Sequence, residues 1–336
     1  IEAQAREHPR TAEILRRFSD ARHITCERYG EVFNRKSQDF RLQKRTPALI
    51  LAIKHKNFVL EAPASFGIGG ARNYYFSHML NCIYDCRYCF LQGMYQSANY
   101  VLFVNYEDFA DALRNRANSA PKPSYFFSGY DCDSLALESV SQFTEHFIPV
   151  FTDLPDSWLE LRTKSTQVRS LLRRRAIPNC IVAFSLSPDP IAQSLERKTP
   201  SLSARLAAAH QLQKQGWPIG LRFDPVFYYE EYQRDYRQLF EQTFARLDAT
   251  QLHSVSLGTF RMPNDFFRRA ERLYPKEKLY SGDLQRRDGV VSYRHADNAE
   301  LLEFCRAQIR QHVPADKLFA CTDDFQTLTS ERISLG

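Results

Sequence analysis

From about Thr46 onward, short apolar runs alternate with longer segments whose apolar residues recur at helical spacing. ALILAIK (48–54) reads as a strand, and YVLFVN (100–105) leads into the helix-like YEDFADALRNRA (106–117). SYFFSGYD (124–131) precedes LALESVSQFTEHFIPVF, WLELRTK (158–164) precedes STQVRSLLRRR, and CIVAFSLS (180–187) precedes SLSARLAAAHQLQKQG (201–216). WPIGLRFDPVF (217–227) precedes DYRQLFEQTFARL (235–247), and SVSLGTF (254–260) closes the series. In RFDPVF, Asp224–Pro225 is expected to mark the end of a strand at a turn. Alternation of this kind predicts βαβ units and parallel strands. About six units fit, fewer than the eight of a full barrel.

The flanks differ from this middle. Residues 1–46 are highly charged and helix-rich, with AEILRRFSDA patterned as a helix and NRKSQDFRLQKR as an exposed connector. Beyond the last strand, Asp288–Gly289 between LQRR and VVSYR predicts a hairpin, and LLEFCRAQIRQHV (301–313) a late helix. The expected organisation is a helical extension (1–46), an α/β body (47–262) and a C-terminal segment (263–336). FGIGG (66–70) lacks the full phosphate-binding glycine pattern and reads as a plain turn.

Composition narrows the class. Of the 336 residues, 43% are hydrophobic and 25% charged, enough for a core and too balanced for disorder. No apolar run approaches the roughly 20 residues needed to cross a bilayer, so a cytoplasmic protein without a membrane partner is expected. The net charge of +6 is modest, but RSLLRRRAIP, FFRRAERLYPK and LQRRDGVVSYRH are local basic clusters. Each fits a solvated face; together they keep a polyanionic partner open.

The chemistry concentrates in NCIYDCRYCFLQ (81–92). It holds three of the eight cysteines, Cys82, Cys86 and Cys89, spaced C-x3-C-x2-C. The other five are scattered, and in a reducing compartment a tight cluster points to metal before disulfide. Zinc with water as fourth ligand is one reading, with His78 as a conceivable extra donor, although no second C-x2-C follows. Iron–sulfur clusters usually take four cysteines. A [4Fe–4S] cluster on three thiolates leaves one iron open to a substrate or cofactor. The spacing resembles that of radical S-adenosylmethionine enzymes, in which the methionine end of the cofactor binds that iron. Tyr88, just before the third cysteine, fits the same pattern.

The resemblance extends along the chain. IEAQAREHPRTAEILRRF, LILAIK, CRYCFLQ, YVLFVNYEDF, RTK (162–164), AFSLS (183–187), TPSLSARLAAAHQLQKQGWPIG and YRQLFEQ are similar, in order, to the spore photoproduct lyase family. It implies a partial (β/α)6 TIM-type barrel with an N-terminal helical extension and a C-terminal hairpin and helix. It also implies a [4Fe–4S] cluster, S-adenosylmethionine, and lyase chemistry that splits 5-thyminyl-5,6-dihydrothymine in DNA back to two thymines. Lys164 resembles the lysine that meets the cofactor carboxylate, and Ser185 a serine near its adenosyl part. Tyr88 is counted both beside the cofactor and on the path that returns a hydrogen atom to it. Arg286, Arg287, Tyr293 and Arg294 on the hairpin suit phosphate contact and base stacking, the family's hairpin being a wedge in the duplex. An electron donor such as flavodoxin or ferredoxin is implied, and a monomer expected.

Two positions depart from the family pattern. Tyr130 stands where the family places a cysteine hydrogen donor, with Cys132 two residues on, and Phe90 replaces a tyrosine just after the third cysteine. A phenyl ring has no phenolic hydrogen to give. Three accounts stay open: Cys132 takes the donor role, Tyr130 takes it, or the barrel serves another nucleoside, nucleic-acid or peptide substrate. A metal-bearing binding module without catalysis is a further, weaker reading.

Overall fold

The computed structural model of the chain describes residues 1–33, 35, 38–63 and 67–321. Its main feature is an eight-stranded sheet in which six parallel strands follow one another in space as in sequence. These are β1 (Arg72–Tyr75), β2 (Ser124–Phe127), β3 (Ser157–Thr163), β4 (Cys180–Ser185), β5 (Ile219–Val226) and β6 (Leu252–Thr259). Helices α1 (Tyr106–Ser119), α2 (Phe143–Thr152), α3 (Leu202–Lys214) and α4 (Tyr232–Arg246) connect them, with a single turn, Arg169–Leu172, between β3 and β4. Six parallel strands with helical crossovers are the expected partial barrel.

After β6 come α5 (Asn264–Leu273), the hairpin of β7 (Leu284–Arg287) and β8 (Val290–Tyr293), and α6 (His295–Arg310). The hairpin forms where expected. Asp288 and Gly289 both have positive φ, 49° and 79°, as a two-residue primed turn requires, and Gly289 takes this at no steric cost. A last strand, β9 (Leu318–Ala320), pairs in parallel with β6, so SVSLGTF does not close the sheet.

Several strand expectations need correction. ALILAIK is not the first barrel strand: Leu49–Ala52 pairs with Tyr100–Phe103 in a separate small sheet. Fully apolar parallel strands look alike in sequence whichever sheet receives them. The true first strand, β1, is short and begins with Arg72 and Asn73, so no apolar run marks it. β5 does not stop at Asp224–Pro225; it absorbs the proline through a register shift between Phe223 and Val226. STQVRSLLRRR yields only one helical turn, because it offers few core-facing positions before Pro178.

The N-terminal extension is docked, with Ala5, Ile14 and Phe33 buried in the same core as Phe103, Phe126 and Leu161. A smaller core joins Cys86 and Tyr88 to Phe227, Phe260, Phe267, Val291 and Tyr293. It ties the cysteine loop to the C-terminal segment. No helix among the described residues is long and apolar enough to cross a membrane.

Candidate functional site

One cavity lies at the C-terminal ends of the first four barrel strands, where open and closed α/β sheets place their ligand sites. Cys82, Cys86, Tyr88, Cys89 and Phe90 come from the loop after β1. Tyr130, Cys132 and Asp133 follow β2, Thr163 and Lys164 close β3, and Ser185 ends β4. Every proposed metal, cofactor and hydrogen-transfer residue therefore lines a single space.

The loop takes its shape from a short antiparallel pairing in which Cys86 lies opposite Glu196 and Asp85 opposite Arg197. Burial pushes the pKa of all three thiols up, that of Cys86 to about 12. Thiols so placed give up their protons to a metal that compensates the charge, not to water. The matching cation is Lys164. Burial works against its charge, but Cys86 and Glu196 outweigh it and hold its pKa above the usual lysine value. Its Nζ lies 4.0 Å from Glu196 Oε1 and 5.4 Å from the Tyr88 ring centre.

Glu196 organises this corner. Its side chain is fully buried and accepts from Tyr88 OH, from Ser187 Oγ at 3.0 Å, and from Arg205 Nη2. Arg205, equally buried, also donates to the Ser185 carbonyl at 3.1 Å and Thr199 Oγ1 at 2.7 Å. Burial pushes the Glu196 carboxyl up, while Lys164 and Arg205 pull it further down, below its ordinary value. Sequence reading missed both residues. The available signal was Arg205 on the face of α3 that carries Leu202, Leu206 and Ala209, where a solvated arginine does not belong.

On β3, Glu160 and Arg162 alternate with Leu159 and Leu161, so the two charges share a face, and Arg162 lines the cavity. Glu160 is paired with Arg222 of β5 at 2.7 Å and lies 3.3 Å from Arg162. Asp133 accepts from Thr163 Oγ1 and the Lys164 amide, both at 2.6 Å, fixing the end of β3.

The two departures from the family pattern meet in the same wall. Tyr130 stacks on Tyr75 with ring centres 4.4 Å apart and leans against Phe90 at 5.8 Å. Cys132 is buried, with Sγ 3.8 Å from the Ser128 carbonyl. His78 is not part of the site: it is wholly buried, stacked on Phe143 at 4.0 Å, and burial drops its pKa to about 3. Its reading as an extra metal donor falls.

The hairpin residues lie apart from the cavity lining. Arg286 and Arg287 are exposed on β7, with Arg287 3.3 Å from Asp288. Arg294 is shared by Asp283 and Asp297, each at 2.9 Å. Tyr293 is only 9% exposed and packs near Phe260 and Tyr228. In this position the ring ties the hairpin to the smaller core.

A partial barrel of six parallel strands, with three thiols in the loop after the first, is the arrangement that the resemblance to radical S-adenosylmethionine enzymes implies. A family model described as spore photoproduct lyase matches residues 4–322. The chain belongs to the spore photoproduct lyase family. It is 28% identical over 210 residues to the spore photoproduct lyase of Bacillus subtilis (strain 168), a match spanning 61% of each chain. To that of Geobacillus sp. (strain Y412MC61) it is 25% identical over 245 residues, spanning 70% of this chain and 72% of the relative. A solved spore photoproduct lyase variant with bound AdoMet and dinucleoside spore photoproduct superposes with a TM-score of 0.83 at 21% identity, covering 96% of both chains. At that identity the superposition supports the fold.

Proposed function

We propose that this chain is a radical S-adenosylmethionine lyase acting on a thymine photoproduct in DNA. The observation that carries the reading is the convergence of Cys82, Cys86, Cys89, Lys164, Ser185, Tyr130 and Cys132 on one cavity in a member of this family. The donor set fits the implied group. Three thiols lining one cavity beside the Lys164 ammonium suit an anionic cluster with one open iron. When bound, the cluster and S-adenosylmethionine would supply a 5′-deoxyadenosyl radical able to abstract hydrogen from the photoproduct.

The chain's own residues then have separate tasks. Cys82, Cys86 and Cys89 hold the cluster, and Lys164 offers its ammonium to the cofactor carboxylate. Ser185, fixed at the end of β4 and lining the cavity, would lie beside the adenosyl part. Tyr88 is oriented by Glu196, while Tyr130 and Cys132 both present a transferable hydrogen to the cavity. Arg286 and Arg287 supply phosphate contacts at the hairpin, with Arg294 a weaker contributor because two carboxylates already hold it. A flavodoxin- or ferredoxin-like donor, a monomeric state and a cytoplasmic setting complete the reading.

The test is anaerobic incubation of the reconstituted, reduced chain with an oligonucleotide carrying the photoproduct. Thymine returned from the lesion, and none of this chemistry on undamaged DNA, is the expected result. One observation favours a second reading, the same chemistry on a different substrate: the Phe90–Tyr130 contact alters the wall facing the substrate space. Formation of 5′-deoxyadenosine with no thymine return would select it.

A further inference from the structure

The cysteine loop is gripped on a second side by residues that none of the roles above requires. Asp85, between Cys82 and Cys86, accepts from Lys44 Nζ, which also donates to Gln92 Oε1 at 2.6 Å. Gln92 Nε2 donates to Asp85 at 3.1 Å and to the Cys86 carbonyl at 3.2 Å. Arg87 Nη1 lies 2.9 Å from Asp85 Oδ2, and Tyr274 OH donates to Gln92 Oε1 at 3.0 Å. Three distant parts of the chain thus meet here: the N-terminal extension, the cysteine loop and the end of α5.

Lys44 is more than a structural tie, because it lines the same cavity as the three thiols. Its side chain is 21% exposed and that of Asp85 is 12%. At such burial a fixed charge acts on its surroundings through a low effective dielectric, with little screening by salt. The two charges therefore bias in opposite senses any group that gains an electron at the thiols.

We propose that Lys44 and Asp85 are positioning residues that set the reduction potential of the cluster held by Cys82, Cys86 and Cys89. This rests on the cluster reading above. The positive end eases uptake of an electron and the negative end opposes it, while Gln92 links the pair to the loop backbone at Cys86.

The experiment is a redox titration of the reconstituted chain, followed by the spin signal of the reduced cluster, for wild type, Lys44→Met, Lys44→Arg and Asp85→Asn. Lys44→Met is expected to lower the reduction equilibrium constant tenfold or more, 59 mV for a one-electron couple. Asp85→Asn is expected to raise it, and Lys44→Arg to stay within twofold of wild type. If Lys44→Met does not load, the contrast of Lys44→Arg with Asp85→Asn carries the test. Midpoints unchanged in all loaded variants, or shifted in one direction for both charge removals, overturn the proposal. A wild-type chain that takes up no iron and sulfide overturns the cluster reading itself, and is told apart by the unsubstituted control.

Discussion

Replacing Glu196 by alanine removes the acceptor of Tyr88 OH, Ser187 Oγ and Arg205 Nη2 in one step. Arg205 and Glu196 are both fully shielded from solvent, so the guanidinium is left as an uncompensated buried charge. Breaking such a pair costs about 3–5 kcal/mol, a large share of a native stability of about 5–15 kcal/mol. With a slope of ~3 kcal/mol per M, the urea midpoint falls by about 1–1.7 M. The acid side gives an independent reading. The folded carboxyl sits below its ordinary value of 4.5, so its contribution is complete above that pH and is lost as pH falls through the folded pKa. The stability gap between wild type and Glu196→Gln should hold steady above 4.5 and narrow below it. A cost under about 1 kcal/mol for Glu196→Ala, or a gap that does not narrow in acid, refutes the assignment of Glu196 as the organising anion.

Three further outcomes follow from the same geometry. A Cβ on Gly93 would lie 2.1 Å from the Phe266 carbonyl oxygen, so Gly93→Ala must push α5 off the cysteine loop; chemical denaturation should show a loss of about 1–3 kcal/mol. His78 is buried with both ring nitrogens unpartnered, so His78→Phe should be neutral or stabilising in thermal melts and leave iron uptake unchanged. Reversing Arg286 and Arg287 to glutamate should weaken duplex binding and flatten its dependence on salt, measured by anisotropy from low to moderate ionic strength; an unchanged slope removes the hairpin from the interface.

The legible parts of the fold were those written in local pattern. SYFFSGYD, CIVAFSLS and SVSLGTF stand as apolar runs of strand length between helical stretches, and each became a barrel strand. Asp288–Gly289 encoded its turn through the backbone freedom of two residues. The first barrel strand was hidden because RNYY begins with polar residues, while the more apolar LILA went to another sheet. Strand partnership is a long-range property that a seven-residue window does not contain.

The site divides in the same way. Three cysteines within eight residues declared themselves, and Lys164 and Ser185 came from ordered resemblance. Glu196, Arg205, Lys44 and Asp85 were silent because a buried charge looks like a surface charge until its partner is known. Tyr293, next to arginines in sequence, read as a stacking platform, and its inward packing against the smaller core was not legible from its neighbours. The alternation of charge with leucine in WLELRTK was visible, yet only the curl of the sheet makes its polar face an interior one.

The central claim is that Cys82, Cys86 and Cys89 hold a four-iron cluster with one iron open. Anaerobic reconstitution followed by iron and sulfide analysis, with reduction in the presence of S-adenosylmethionine, tests it most directly. The account predicts about four irons per chain, 5′-deoxyadenosine on reduction, and loss of both when any one of the three cysteines becomes alanine. A single zinc per chain, or a four-iron chain that leaves S-adenosylmethionine intact, would contradict it.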